Sequence, residues 1–143
     1  MTQEGKTLLE LLIGLLILGI LSTLAGPSLL PLYSRIQLQA VTMEIASELR
    51  LARQLAAAHR DRVRVTFVRD RALLEVRLLR GSAVHHLYHY GEKGVTIDEP
   101  SGGDQIVFYP TGRTATATTI RVRSKEGRIR EVTVGFNGRV NVR

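Results

Sequence analysis

Cysteine is absent from the 143-residue chain, and this absence removes several classes of protein from consideration. Without a thiolate there is no disulfide scaffold, cysteine-ligated zinc site, iron–sulfur cluster or thiol nucleophile. No serine or threonine stands in a nucleophile-elbow pattern, and no glycine-rich phosphate loop precedes a helix. The length allows one domain with an appendage. We therefore expect no catalytic residues and no cofactor, and a membrane-tethered enzyme is the least favoured class.

Charge is missing from one long stretch near the N-terminus. The 24 residues from Leu11 to Ser34 contain no charged side chain, and Leu11 to Ala25 are Leu, Ile, Gly, Ala, Ser and Thr alone. A helix from Leu11 to Leu32 would be about 33 Å long, which matches a hydrocarbon core of about 30 Å. The pattern predicts a membrane-spanning helix.

A secretory signal peptide cleaved after Ala25 is the alternative to a membrane-spanning helix. Glu10 argues against it, because a carboxylate at the start of the apolar run is costly there. Helical periodicity also continues beyond this run, and the apolar residues that carry it are Leu38, Val41, Ile45, Leu49, Ala52 and Ala56. We predict one helix from about Thr7 to Ala58, with a kink or a locally melted turn near Pro27 and Pro31. The alternative is that these prolines end a transmembrane helix.

After Ala58 the pattern changes to alternation with period two, which is typical of β-strands. The predicted strands are Val63–Phe67, Leu74–Leu78, Val84–Tyr90, Gln105–Tyr109, Thr119–Arg123, Ile129–Val134 and Arg139–Val142. The pair Asn137-Gly138 is a hairpin-turn signal. We therefore predict an α+β fold in which the amphipathic half of the long helix packs on one antiparallel sheet.

The segment Gly5-Lys6-Thr7-Leu8-Leu9-Glu10-Leu11-Leu12-Ile13-Gly14 resembles the processing and methylation site of type IV pilins and type II secretion pseudopilins. The resemblance implies prepilin cleavage between Gly5 and Lys6, N-methylation of Lys6 and an assembly role for Glu10. Lys6 stands where the family usually has Phe. The implied organisation is a leader (1–5), a transmembrane and assembly helix (6–33), an amphipathic helix (34–58) and a β-rich soluble domain (59–143).

Glu10 has a physical reason to act in assembly. A carboxylate at membrane depth is expected to be neutral or paired, and cleavage after Gly5 would free an α-amino group on Lys6. Within one helix the two groups are awkwardly oriented, whereas neighbouring subunits offset along a filament can pair them. A carboxylate that only reaches the headgroup region is the alternative.

Three later segments narrow the resemblance. Residues 48–54, 108–112 and 136–140 are similar to the soluble domain shared by GspH pseudopilins and FimT minor pilins. The resemblance implies a non-catalytic minor subunit of a type II secretion pseudopilus or type IV pilus, anchored once in the inner membrane with a periplasmic head. Its implied partners are other pilins, which it contacts through the N-terminal helix, and prepilin peptidase. Because some FimT members bind DNA for natural transformation, a pilus-associated DNA receptor is the alternative function.

Basic residues are concentrated in the soluble part. After Ala58 there are 16 Lys and Arg against nine Asp and Glu, so this part carries the whole net charge of +7. We predict an outward cationic face near the C-terminus, and its members are Arg121, Arg123, Lys125, Arg128, Arg130, Arg139 and Arg143. Such a face would bind phosphates. A solvated or subunit-contacting face, or contact with anionic lipid, is the alternative.

A histidine cluster is the remaining candidate for chemistry. His85, His86 and His89 lie in one predicted strand, where His85 and His89 would share a face while His86 points to the other. Two side chains four residues apart in a strand are about 13 Å apart, too far to hold one ion. We expect no metal site here.

Overall fold

The computed structural model describes residues 3–81 and 84–143 of the chain, with the side chains of residues 3–6 and 24–32 left out of the description. The chain divides into two compact units, and the boundary in the sequence lies between Tyr33 and Ser34. The first unit is helical. The second, the head, begins at Ser34 and contains the rest of the helix and all described strands.

Helix α1 spans Gln3–Ala58 and is helical through Pro27 and Pro31. In the part of α1 that belongs to the first unit, the side chains of residues 7–23 are exposed on every side of the helix. No helix among the described residues is both long and apolar enough to cross a membrane. The predicted span includes residues 24–32, whose side chains lie outside the description.

In the head, α1 buries the stripe that its periodicity predicts. Leu38, Val41, Ile45, Leu49, Ala52 and Ala56 are each no more than 3% exposed. Thr42 is buried on the same face, where its hydroxyl donates a hydrogen bond to the carbonyl of Leu38 at 2.6 Å and is therefore satisfied. The periodic apolar residues therefore form the helical side of the core.

The described residues form eight strands, all paired antiparallel. They are β1 (Val63–Val68), β2 (Leu73–Leu78), β3 (Val84–His89), β4 (Val95–Ile97), β5 (Gln105–Phe108), β6 (Thr118–Ser124), β7 (Ile129–Val134) and β8 (Val140–Val142). The strand orders are β3-β2-β1-β5 in one four-stranded sheet and β4-β6-β7-β8 in the other.

Two sheets replace the single sheet predicted from the sequence. The seven predicted strands are present, and the missed strand, β4, is three residues long. The sheets are connected near Thr114, which bridges to Phe108 and donates its backbone N–H to the carbonyl of Phe136. Side chains from both sheets join α1 in one core. The predicted α+β class, with the helix packed on antiparallel strands, is confirmed.

Candidate functional site

The N-terminal unit presents a carboxylate on an apolar helix. Glu10 is exposed, and it borders a surface notch of about 490 Å³ together with Thr7, Leu11, Gly14, Leu15 and Leu18. Gly14 lies at this notch and has no side chain, and the space where a Cβ would stand is open to 4 Å. A missing side chain one turn from Glu10 leaves room for a second helix to approach the carboxylate. Gly5 has no side chain, and the side chain of Lys6 lies outside the description.

Two of the predicted basic residues are already engaged by carboxylates. The Arg121 Nε donates to Glu131 Oε1 at 3.0 Å, and the Arg123 guanidinium holds both carboxylate oxygens of Asp98, with the shorter contact at 2.8 Å. The hydrogen bond from Arg123 holds the pKa of Asp98 below its ordinary value. These pairs offset part of the charge that the basic count suggests.

The register of β6, β7 and β8 explains where Glu131 lies. Glu131 pairs with Arg121 on one side, and on the other it exchanges two backbone hydrogen bonds with Arg143. Directly paired residues of antiparallel strands point to the same face. The outward face therefore carries a carboxylate between two arginines, so it is less cationic than expected.

Arg130 does not join the predicted outward face. Its register partner is Val122, a fully buried residue, which places Arg130 on the core side of the sheet at its edge. Arg128 and Arg130 border a cleft together with Arg35 and Leu38 of α1.

Lys125 lies in a turn, and its side chain lies beside Gly94: the Lys125 Cε is 3.4 Å from the position that a Cβ on Gly94 would take. The seven predicted basic residues thus do not form one continuous surface.

A different group of arginines converges at the C-terminal end of α1. Arg50, Arg53 and Arg139 border a cleft of about 540 Å³, called here the arginine cleft. Its other lining residues are Gln54, Ala57, Pro110, Thr111, Gly112 and Val140. Arg53 Nε donates to the carbonyl of Gly112 at 3.1 Å, and Arg50 Nη2 donates to the carbonyl of Val140 at 3.3 Å. Both guanidiniums are held by backbone oxygens.

Two glycines allow this arrangement. Gly112 and Gly138 have positive φ angles of 78° and 71°, which suit glycine. A Cβ on Gly138 would lie 1.9 Å from the carbonyl oxygen of Gly112 and 3.2 Å from Arg53 Nε. The Asn137-Gly138 turn therefore packs directly on the loop after β5.

A family profile described as "Type II transport protein GspH" matches residues 41–138, which is more than half of the chain and includes most of the head. The chain belongs to the GspH family. The search of individual curated proteins found no match to this chain.

Solved structures support the same fold for this GspH-family protein. The type IV minor pilin FimU of Pseudomonas aeruginosa is 18% identical, with a TM-score of 0.66 over 76% of this chain and 90% of FimU. The minor pseudopilin EpsH of the Vibrio cholerae type II secretion system is 16% identical, with a TM-score of 0.64 over 75% of this chain and 96% of EpsH. The resemblance to pilin-like proteins of the GspH family is confirmed.

Two histidines of the predicted cluster contact residues outside it. His86 Nε2 lies 3.3 Å from Glu48 Oε1 on α1, and the His85 ring lies edge-on to His59 with centroids 6.4 Å apart. An irregularity in the pairing of β2 and β3 interrupts the simple alternation predicted for this strand. Within the described residues, no three His, Cys, Asp or Glu side chains are placed to hold a metal ion.

A polar contact fastens β3 and the turn after it to α1. Glu44 accepts hydrogen bonds from Lys93 and from the hydroxyl of Tyr88. These bonds, that from Lys93 above all, lower the pKa of Glu44, while burial raises the pKa of Tyr88. Because the sequence offers no local signal for a pair 49 positions apart, this contact was not predicted.

Proposed function

We propose that this GspH-family protein is a minor pilin or pseudopilin, a non-catalytic structural subunit of a type II secretion pseudopilus or a type IV pilus. The observation that carries the proposal is the combination of a GspH-type head with an apolar helix bearing Glu10. Eleven large apolar side chains between Leu8 and Leu21 are each more than half exposed. A helix that is apolar on every side needs lipid or other helices around it.

The proposal includes processing and anchoring. Prepilin peptidase cleaves after Gly5, the new N-terminal Lys6 is methylated, and residues 6–33 anchor the protein in the inner membrane before assembly. The head, from Ser34 onward, then lies in the periplasm. The uncharged run from Leu11 to Ser34 supports the membrane anchor.

In the filament, Glu10 pairs with the α-amino group of Lys6 on a neighbouring subunit. The notch beside Gly14 supports this role, because it lets a second helix come close to the carboxylate. In an apolar environment such a pair stabilises the assembled state, since either charge alone would be costly.

Incorporation of a Glu10→Ala variant into filaments tests the proposal. We expect the variant to insert in the membrane and to be cleaved, yet to be missing from sheared or cross-linked filament fractions. Glu92→Ala is the matched control, because Glu92 is an exposed carboxylate of the head. Normal incorporation of the Glu10 variant would remove the assembly role, and absence of the wild-type chain from filaments would overturn the proposed function.

DNA binding is a second candidate function, and one observation favours it. Among the described residues, no carboxylate pairs with the side chain of Arg139 or Arg143, unlike those of Arg121 and Arg123. Unpaired guanidiniums near the C-terminus are suited to phosphate contacts. Each neutralised phosphate would add about 0.7–0.9 to the slope of log affinity against log salt. Replacing Arg139 and Arg143 by Gln should lower that slope by roughly one to two.

A further inference from the structure

The arginine cleft has more hydrogen-bond donors than the chain uses. A guanidinium carries five N–H donors, and Arg50 and Arg53 each donate one hydrogen bond to a backbone carbonyl. The side chain of Arg139 makes no hydrogen bond or ion pair with the described residues. Three positive charges therefore border one cleft with most of their donors available.

The lining of the cleft contains no acidic side chain to offset these charges. Apart from the arginines it is made of Gln54, Ala57, Val140 and the loop 110–112. Elsewhere in the head, exposed arginines such as Arg121, Arg123 and Arg77 have a carboxylate within 3 Å. The arginine cleft thus differs from these three arginine sites, where the counter-ion is built in.

The size and charge of the cleft suit a carboxylate on a segment of another protein. A volume of about 540 Å³ between a helix and two loops admits a few side chains of one segment. Arg50, Arg53 and Arg139 are exposed at this cleft, so their guanidiniums can reach a carboxylate on an approaching surface. Guanidiniums bind carboxylates through two parallel hydrogen bonds in a confined site.

We propose that the arginine cleft receives an Asp- or Glu-bearing segment of a neighbouring subunit of a different kind. This inference rests on the proposed function, because a minor subunit of a filament has such neighbours. A second copy of this chain is disfavoured by the net charge of +7 on each copy. Charge complementarity selects a partner with an acidic surface, and the cleft fixes where it docks.

Zero-length cross-linking tests the inference on the full chain in filaments from its own cells. Arg50→Lys and Arg139→Lys, made separately, each place an amine in the cleft, and a carbodiimide joins an amine to a carboxylate only when the two are in contact. Arg53 is kept, because it holds Gly112. Arg71→Lys is the matched control, since Arg71 is exposed in the turn between β1 and β2.

An internal control reports whether the reagent has worked. Lys93 contacts the Glu44 carboxylate in every variant, so a cross-linked Lys93-Glu44 peptide should appear in each digest. We expect the cleft lysines, and not Lys at position 71, to be joined to an Asp or Glu of another pilin-type subunit identified by mass spectrometry. No intersubunit link in a digest that contains the internal link would overturn the inference, as would a link to a second copy of this chain.

A nucleic acid probe separates the other outcome. Gel shift of a 20-nucleotide DNA that is lost in Arg50→Gln/Arg139→Gln and retained in Arg121→Gln/Arg123→Gln would assign the cleft to phosphate and overturn the carboxylate assignment. The proposed function is tested independently, because the wild-type chain is either present in the filament fraction or not. Failure of the cleft inference with the chain present leaves the subunit role standing.

Discussion

Arg53 on α1 donates a hydrogen bond from Nε to the carbonyl oxygen of Gly112, 59 positions later, over 3.1 Å. The backbone at Gly138 approaches the same carbonyl so closely that it has no room for a side chain. A helix, the loop after β5 and the turn before β8 therefore meet at one point. Arg53 and Gly112 also border the arginine cleft.

Gly138→Ala should be more destabilising than Gly127→Ala. Both residues have positive φ, 71° and 80°, so each variant has the strain of a left-handed backbone, about 1–2 kcal/mol. A Cβ at Gly127 meets nothing within 4 Å, whereas a Cβ at Gly138 would collide with the Gly112 carbonyl. Urea unfolding should show the larger loss of unfolding free energy for Gly138→Ala. Equal losses would mean that the close approach does not matter.

Leu49→Ala and Leu51→Ala compare the two faces of α1 in the head. Leu49 is fully buried against the sheets, and truncation there should lower the free energy of unfolding by about 2–5 kcal/mol. Leu51 is 37% exposed, so its truncation should cost less than about 1 kcal/mol. Thermal and chemical unfolding measure both values. A similar cost for the two variants would contradict the packing described for α1.

The pair of Asp98 and Arg123 predicts a pH dependence. The hydrogen bond from Arg123 lowers the pKa of Asp98 in the folded protein below its ordinary value of 3.8. The stabilisation that the ionised Asp98 carboxylate contributes is therefore complete above that ordinary value. It is lost as the pH falls through the lower pKa that Asp98 has in the folded protein. Wild-type protein should lose more stability than Asp98→Asn between pH 6 and pH 3, because the ordinary pKa of 3.8 lies within this interval. Parallel pH profiles for the two proteins would exclude this contribution.

Local patterns in the sequence predicted the elements of the fold. The stripe from Leu38 to Ala56 follows from helical spacing, and the strands follow from alternation, because both depend on neighbours within a few positions. The division into two sheets does not follow from the same patterns. Alternation shows which residues face the core, but it does not show that β5 pairs with β1 while β6 pairs with β4.

The predicted basic face shows that sequence patterns have the same limit when they are used to predict a functional site. Counting charges located the excess, yet it did not reveal that Glu131 lies between Arg121 and Arg143, since this depends on strand register. Arg50 and Arg53 were missed because their partners, Val140 and Gly112, lie 90 and 59 positions later in the chain. The only local signal was the turn at Asn137-Gly138, which brings Arg139 to the same place.

The mature N-terminus tests the central claim most directly, since the subunit role requires prepilin processing at the predicted bond. Intact-mass measurement of the protein from the membrane fraction should give a chain that lacks Met1 to Gly5 and carries one added methyl group on Lys6. A mature chain that begins at Gly26 would contradict the account, because it would show a secretory signal peptide in place of a pilin helix.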